Sequence, residues 1–257
     1  MNIIGIIPAR MGSSRFPGKP MEEIHGMPMI GHCYLRAKLC DQLTDVYVAT
    51  CDAVIFDYII GLGGNAVMTS PDHDRASDRA AEAMEIIEHQ LNSKVDCVVM
   101  IQGDEPMITP NMISSAVQPI LEEGCTDVIN LMTPIKTITE FEDPNEVKVV
   151  VDSDSNALYF SREPIPSRKK GMTEVPMLKQ VCIIPFLRDG LLKFNATPQT
   201  PLEIIESVDM MRVLEVGEKV KMIMITEECY SVDTRADLDK VIVAMADDVL
   251  MPIYLVE

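Results

Sequence analysis

Positive charge is scarce in this chain: 22 Lys and Arg stand against 40 Asp and Glu over 257 residues, a formal net charge of −18. That balance argues against a nucleic-acid or anionic-membrane partner, since both recruit broad basic patches. Where cations do gather, their placement is informative. Trp is absent, and the 19 Met are spread through the chain, which reads as ordinary core filling and not as a promiscuous binding face. The seven Cys include no CxxC pair and their number is odd. A disulfide framework or zinc site is therefore not expected, and the setting reads as reducing cytosol. No apolar run approaches membrane-spanning length. Residues 3–7 are too short for a signal peptide's apolar region and have no basic segment before them, so no signal peptide is expected. Repeats and low-complexity segments are missing too. The 47% hydrophobic content suffices for one large domain, or for a domain with a sizeable insertion.

What is present is an alternation of short β-branched runs with helical patterns. Strand-like segments at 3–8, 45–50, 66–68, 95–101 and 127–132 alternate with helical patterns at 29–40, 52–62, 78–91 and 110–122. Such alternation predicts an α/β fold, a mostly parallel sheet wound with helices. From about 140 to 200 the pattern changes, with a strand-like 147–152, a turn at 154–156 and a stretch punctuated by Pro164, Pro166 and Pro176. This reads as a smaller subdomain inserted into a single 1–257 domain. A helix over 201–216, a strand over 221–226 and a last helix from Arg235 to about 247 complete the chain.

The first strand runs into Pro8-Ala9-Arg10-Met11-Gly12-Ser13-Ser14-Arg15-Phe16-Pro17-Gly18-Lys19-Pro20, which gathers three cations and two glycines in one loop. A buried strand feeding such a loop is a phosphate site. It is not an NTPase P-loop, because five residues separate Gly12 from Gly18 and Pro20 follows Lys19 where that motif has Ser or Thr. Any metal must then be held by carboxylates from elsewhere. Two are placed for it at strand ends: Asp104 in Gln102-Gly103-Asp104-Glu105-Pro106, and Asp233 in Val232-Asp233-Thr234, which could equally cap the last helix. Cations that neutralise a triphosphate, with two carboxylates to hold Mg2+ against it, are what nucleotidyl transfer requires.

With these motifs in order, and with Ala157-Leu158-Tyr159-Phe160-Ser161-Arg162-x-x-Ile165-Pro166 between them, the chain resembles the 3-deoxy-manno-octulosonate cytidylyltransferase (CMP-Kdo synthetase) family along nearly its whole length. The resemblance implies a Rossmann-like nucleotide-diphospho-sugar transferase fold, usually dimeric, with helices on both faces of the sheet. It implies transfer of CMP from CTP to an acidic sugar with release of pyrophosphate. On this reading Arg10, Arg15 and Lys19 bind the CTP phosphates with Pro8, Ala9, Gly12 and Ser13. His73, Asp78 and Arg79 complete the nucleotide site, Asp104 and Asp233 hold Mg2+, and Gln102 orients the acceptor. Arg75, Arg162, Gln180, Glu206 and Asp209 are the further acceptor candidates, and 140–200 would serve acceptor binding and dimerisation.

The match breaks at particular residues. The family's His-x-Ser-Gly-Thr-Asp-Arg reads His73-Asp74-Arg75-Ala76-Ser77-Asp78-Arg79 here, and its His-x-Gly-Ile-Tyr-x-Tyr becomes Gln180-Val181-Cys182-Ile183-Ile184-Pro185-Phe186. Asp209-Met210 replaces a Glu-Gln pair. A histidine and two tyrosine hydroxyls are lost where a polyhydroxylated sugar acid would be gripped. Three readings stay open: divergence with Kdo retained; a different acceptor such as 8-amino-Kdo, a nonulosonic acid or a small phosphonate; or an inactive nucleotide-binding homologue. Asp152-Ser153-Asp154 has the Asp-x-Asp spacing of a glycosyltransferase metal motif, but it lies at a predicted turn and is expected to be solvated turn chemistry. His25, His32 and His89 have no metal-ligand spacing and are expected on the surface or on helix faces.

Overall fold

The computed structural model describes residues 1–12, 15–123, 127–172 and 174–255. The chain folds into two compact units: Met1–Ser114 with Cys229–Glu257, and Ser115–Glu228. Residues 140–200 fall inside the second.

In the first unit, strand Ile3–Ala9 lies between Cys97–Ile101 and Asp45–Thr50, and Ala66–Met68 extends the sheet beyond Asp45–Thr50; every pairing is parallel. Parallel neighbours need crossovers, and helices Met29–Lys38, Ala53–Gly61 and Ala76–Leu91 provide them. Ile3, Ile4, Ile6 and Ile7 are buried to 1% exposure or less, which is why this central strand shows no polar alternation. Strand Cys97–Ile101 starts later than the sequence suggests, and the Val95 N–H goes not to a neighbouring strand but to the Glu88 carboxylate at 2.9 Å.

The second unit holds a mixed sheet. Lys221–Met224 runs parallel to Ile129–Pro134, and Leu178–Val181, Lys148–Val151 and Ala157–Ser161 follow in antiparallel order. The expected 154–156 turn joins the last two. Asp152 Oδ1 accepts the backbone N–H groups of Asp154 and Asn156, and Ser155 takes φ 61°. The Asn156 side-chain amide also donates to Asp152, and it contributes most, with these backbone bonds, to holding the carboxyl below its ordinary pKa. The Asp152-Ser153-Asp154 run is thus turn chemistry.

One helix expectation changes. The helix over 201–216 is two, Pro201–Glu206 and Met210–Glu215, separated by Ser207 at φ 52°. Arg162 explains the break, since its guanidinium takes the carbonyls of Glu206 and Ser207 at 2.7 and 3.2 Å. His32 is on a helix but fully buried, hydrogen-bonded to the Ile24 carbonyl through Nε2 and to the Tyr254 hydroxyl through Nδ1, both at 2.8 Å. Burial lowers its pKa.

Candidate active site

The carboxyl ends of Ile3–Ala9 and Cys97–Ile101, adjacent in the sheet, open onto one cleft of about 300 Å³. Gly103 permits this closeness, because a Cβ there would meet the Pro8 carbonyl oxygen at 3.0 Å and the Ile30 side chain at 3.2 Å. Gly18 closes the loop between Arg10 and Lys19 at φ 79°, its N–H bonded to the Met11 carbonyl. The loop is anchored by a residue that sequence reasoning missed: Asp52 Oδ2 accepts the Met11 N–H at 2.8 Å. In the sequence Asp52 reads only as the start of a helix, although it follows a parallel strand and lies on the same rim as Asp104. Its side chain makes no cap bond.

Pro8, Ala9, Arg10, Gly12, Arg15, Lys19, His73, Arg75, Arg79, Gln102 and Asp104 all line the cleft. Asp78 sits in the first turn of helix Ala76–Leu91 and does not line it; Ser13 lies outside the described residues. Five lining side chains are cationic (Arg10, Arg15, Lys19, Arg75 and Arg79) against Asp74 and Asp104. In a chain of charge −18, this is a local field for a polyanion.

Lys19 joins the two carboxylates. Asp104 lies just past strand Cys97–Ile101, whereas Asp233, expected at a strand end, lies in the irregular segment directly before the cap of helix Arg235–Met245, since the preceding strand Lys221–Met224 has already ended. Its Nζ donates to Asp104 Oδ2 at 2.6 Å and to the Val232 carbonyl at 2.9 Å, and lies 3.5 Å from Asp233 Oδ1. Arg15 reaches the same Asp233 oxygen at 2.8 Å, and the Val232 N–H bonds the Asp104 carbonyl. Asp233 is therefore not the cap of the last helix. Thr234 fills that position, in a reciprocal capping box with Asp237. Asp104 and Asp233, 129 residues apart, are brought to one ammonium.

These carboxylates fit a hard divalent cation that takes most of its oxygens from substrate phosphates and water. Among the described residues no group of three or more His, Cys, Asp or Glu could form an all-protein metal cage. An oxygen donor set of two suits Mg2+ with a nucleotide and does not suit zinc.

The loop before helix Ala76–Leu91 is fastened from that helix. Arg79, 2% exposed, donates to the Thr69 hydroxyl and to the carbonyls of Ser70 and His73. The His73 carbonyl also receives Arg10 at 3.4 Å. Arg75 holds the N-cap position of the helix without a side-chain cap bond.

The remaining acceptor candidates belong to the second unit. Arg162 and Glu206 meet there: Arg162 donates to the carbonyls of Pro144, Glu206 and Ser207, and the Glu206 carboxylate accepts from the Tyr159 and Ser161 hydroxyls and the Arg162 N–H. Gln180 Nε2 donates to Asn130 Oδ1 at 2.5 Å. Asp209 starts the helix Met210–Glu215. Lys148, fully buried, donates to the carbonyls of Asp143, Glu146 and Arg162, and burial lowers its pKa.

A family model described as cytidylyltransferase matches residues 4–220. The chain belongs to the cytidylyltransferase family. This cytidylyltransferase is 38% identical over 252 residues to the 3-deoxy-manno-octulosonate cytidylyltransferase of Geobacter metallireducens, covering 94% of this chain and 97% of the relative. It is 39% identical over 249 residues to the enzyme of the same name from Syntrophobacter fumaroxidans, covering 96% and 98%. A solved CMP:2-keto-3-deoxy-manno-octonic acid synthetase complexed with CTP matches at a TM-score of 0.87 and 36% identity, over 96% of this chain and 99% of that one. The protein is accordingly a CTP-dependent nucleotidyltransferase with an α/β fold of mixed sheets. No helix among the described residues is long and apolar enough to cross a membrane.

Proposed function

We propose that this cytidylyltransferase moves CMP from CTP to Kdo or a closely similar 3-deoxy sugar acid and releases pyrophosphate. The observation that carries this reading is the convergence of Asp104 and Asp233 on Lys19, which with Asp104 lines a cationic cleft. Arg10, Arg15 and Lys19 neutralise the triphosphate, so that an acceptor oxygen can approach the α-phosphate in line. Such a step needs positioning and charge neutralisation more than a strong base. Asp104 and Asp233 would hold Mg2+, which offsets charge on the α-phosphate and on departing pyrophosphate. When triphosphate enters, Lys19 and Arg15 transfer their contacts from the carboxylates to phosphate oxygens, and the carboxylates are freed for the metal. Gln102, on the rim beside Asp104, orients the acceptor. We also propose a homodimer working in the cytosol, a setting that suits the buried thiols of Cys33, Cys40 and Cys97.

A second reading, a different acidic acceptor, is favoured by Gln180, whose amide N–H goes to Asn130, and by Ile184 and Phe186, which are buried and bring no hydroxyl. A site that hydrogen-bonds hydroxyls does not lose donors without changing its preference. Mass spectrometry of reactions containing CTP, Mg2+ and one acceptor from a panel (Kdo, 8-amino-Kdo, a nonulosonic acid, a small phosphonate) separates the readings. CMP-Kdo as the main product supports the first, a CMP adduct of another acceptor alone supports the second, and no adduct from any overturns both.

A further inference from the structure

Glu82 is one turn beyond Arg79 on helix Ala76–Leu91 and does not line the cleft. Its Oε2 nevertheless takes two contacts from the segment that leads into the cleft, the Ser70 N–H at 2.8 Å and, at 2.5 Å, Nε2 of the lining residue His73. Arg79 and Glu82 thus divide the work of fastening residues 69–73: the guanidinium takes the hydroxyl and carbonyls, and the carboxylate takes the N–H groups. A carboxylate on Nε2 keeps the proton there and fixes the ring plane, leaving Nδ1 as the atom a ligand can use. The same residue's carbonyl is bonded by Arg10 of the phosphate loop. Helix, histidine and phosphate-binding arginine therefore form one chain of contacts.

We infer that Glu82 is a positioning residue for the nucleotide, acting through His73 and, beyond it, Arg10. This rests on the CTP reading of the cleft. A role confined to holding the loop would act through Ser70 and would not depend on the His73 ring. The two possibilities separate in a double-mutant cycle on CTP affinity.

The test is calorimetric titration of CTP into the parent, Glu82→Gln, His73→Ala and the double variant, with unfolding temperatures measured alongside. Glu82→Gln keeps the shape and an acceptor for the Ser70 N–H but removes the charge, so its unfolding temperature should stay with the parent's. Loss of a charge-assisted hydrogen bond at the site weakens CTP about tenfold, and His73→Ala does the same. In the double variant the loss should be no greater than in His73→Ala alone. Losses that multiply to about a hundredfold, or unchanged affinity in Glu82→Gln, overturn the inference and leave the proposed function standing. A parent protein that binds no CTP overturns both.

Discussion

Lys19 is the residue on which the site turns. It has 14% side-chain exposure and meets two carboxylates and a carbonyl that distant segments supply. Replacing it with Met should raise the KM for CTP at least about tenfold, since a charge-assisted phosphate contact is lost, while Asp104 and Asp233 remain folded at a partly hydrated rim; steady-state kinetics at varied CTP checks this. The meeting of the loop cations and Asp104 at one cleft is legible from the sequence, because a loop after one buried strand and a turn after another share the same rim of a parallel sheet. Asp233 is ambiguous there. The pattern that settles it, Thr234-x-x-Asp237, is a capping-box signature visible in the sequence, and it assigns the cap to Thr234 and leaves Asp233 for the site. Asp52 and Glu82 are not legible, because each acts on a backbone N–H or ring nitrogen in another loop, and no local spacing reveals such a partner.

At the scale of elements, helix Arg235–Met245 presents Asp233 just before its cap. Thr234→Ala should destabilise the protein by about 1 kcal/mol, read from denaturant midpoints, and should lower turnover as well, because the segment carrying Asp233 loses its anchor. In the second unit, Arg212 and Glu203 form an ion pair with 3% and 0% side-chain exposure, doubly bonded at 2.6 and 2.8 Å. Glu203→Ala leaves an uncompensated buried guanidinium and should cost about 3–5 kcal/mol; an unfolding midpoint equal to the parent's would refute that. The two short helices on which these residues sit read as one in the sequence, because the apolar spacing continues through 207. The break depends on Arg162, more than forty residues upstream, whose guanidinium takes the carbonyls there. Helix periodicity cannot register a competitor that arrives through tertiary structure.

For the molecule as a whole, the parallel sheet of the first unit is legible because strands buried on both faces read as continuous apolar runs, Ile3 to Ile7 above all. The mixed order of the second sheet is not, since direction depends on which strands pair and not on their composition. The C-terminal helix Met251–Tyr254 docks through the Tyr254 hydroxyl onto buried His32, a contact with a pH signature. Burial lowers the His32 pKa below its ordinary 6.5, with Arg36 and His25 nearby adding to the effect. The histidine is neutral when folded, so its contribution is fully present above about 6.5 and is lost as pH falls from there, where the unfolded chain binds the proton first. The unfolding temperature should fall more steeply below pH 6.5 in the parent than in His32→Gln; parallel slopes would contradict this.

The central claim is that Asp104, Asp233 and the cationic loop form one transfer site. It is tested most directly by pyrophosphate release from CTP in the presence of Mg2+ and Kdo, measured side by side for the parent, Asp104→Asn and Asp233→Asn. The parent should release pyrophosphate only when CTP, metal and acceptor are all present. Each variant should retain the parent's circular dichroism while losing at least about a hundredfold in turnover. Substantial turnover in either folded variant would contradict the account.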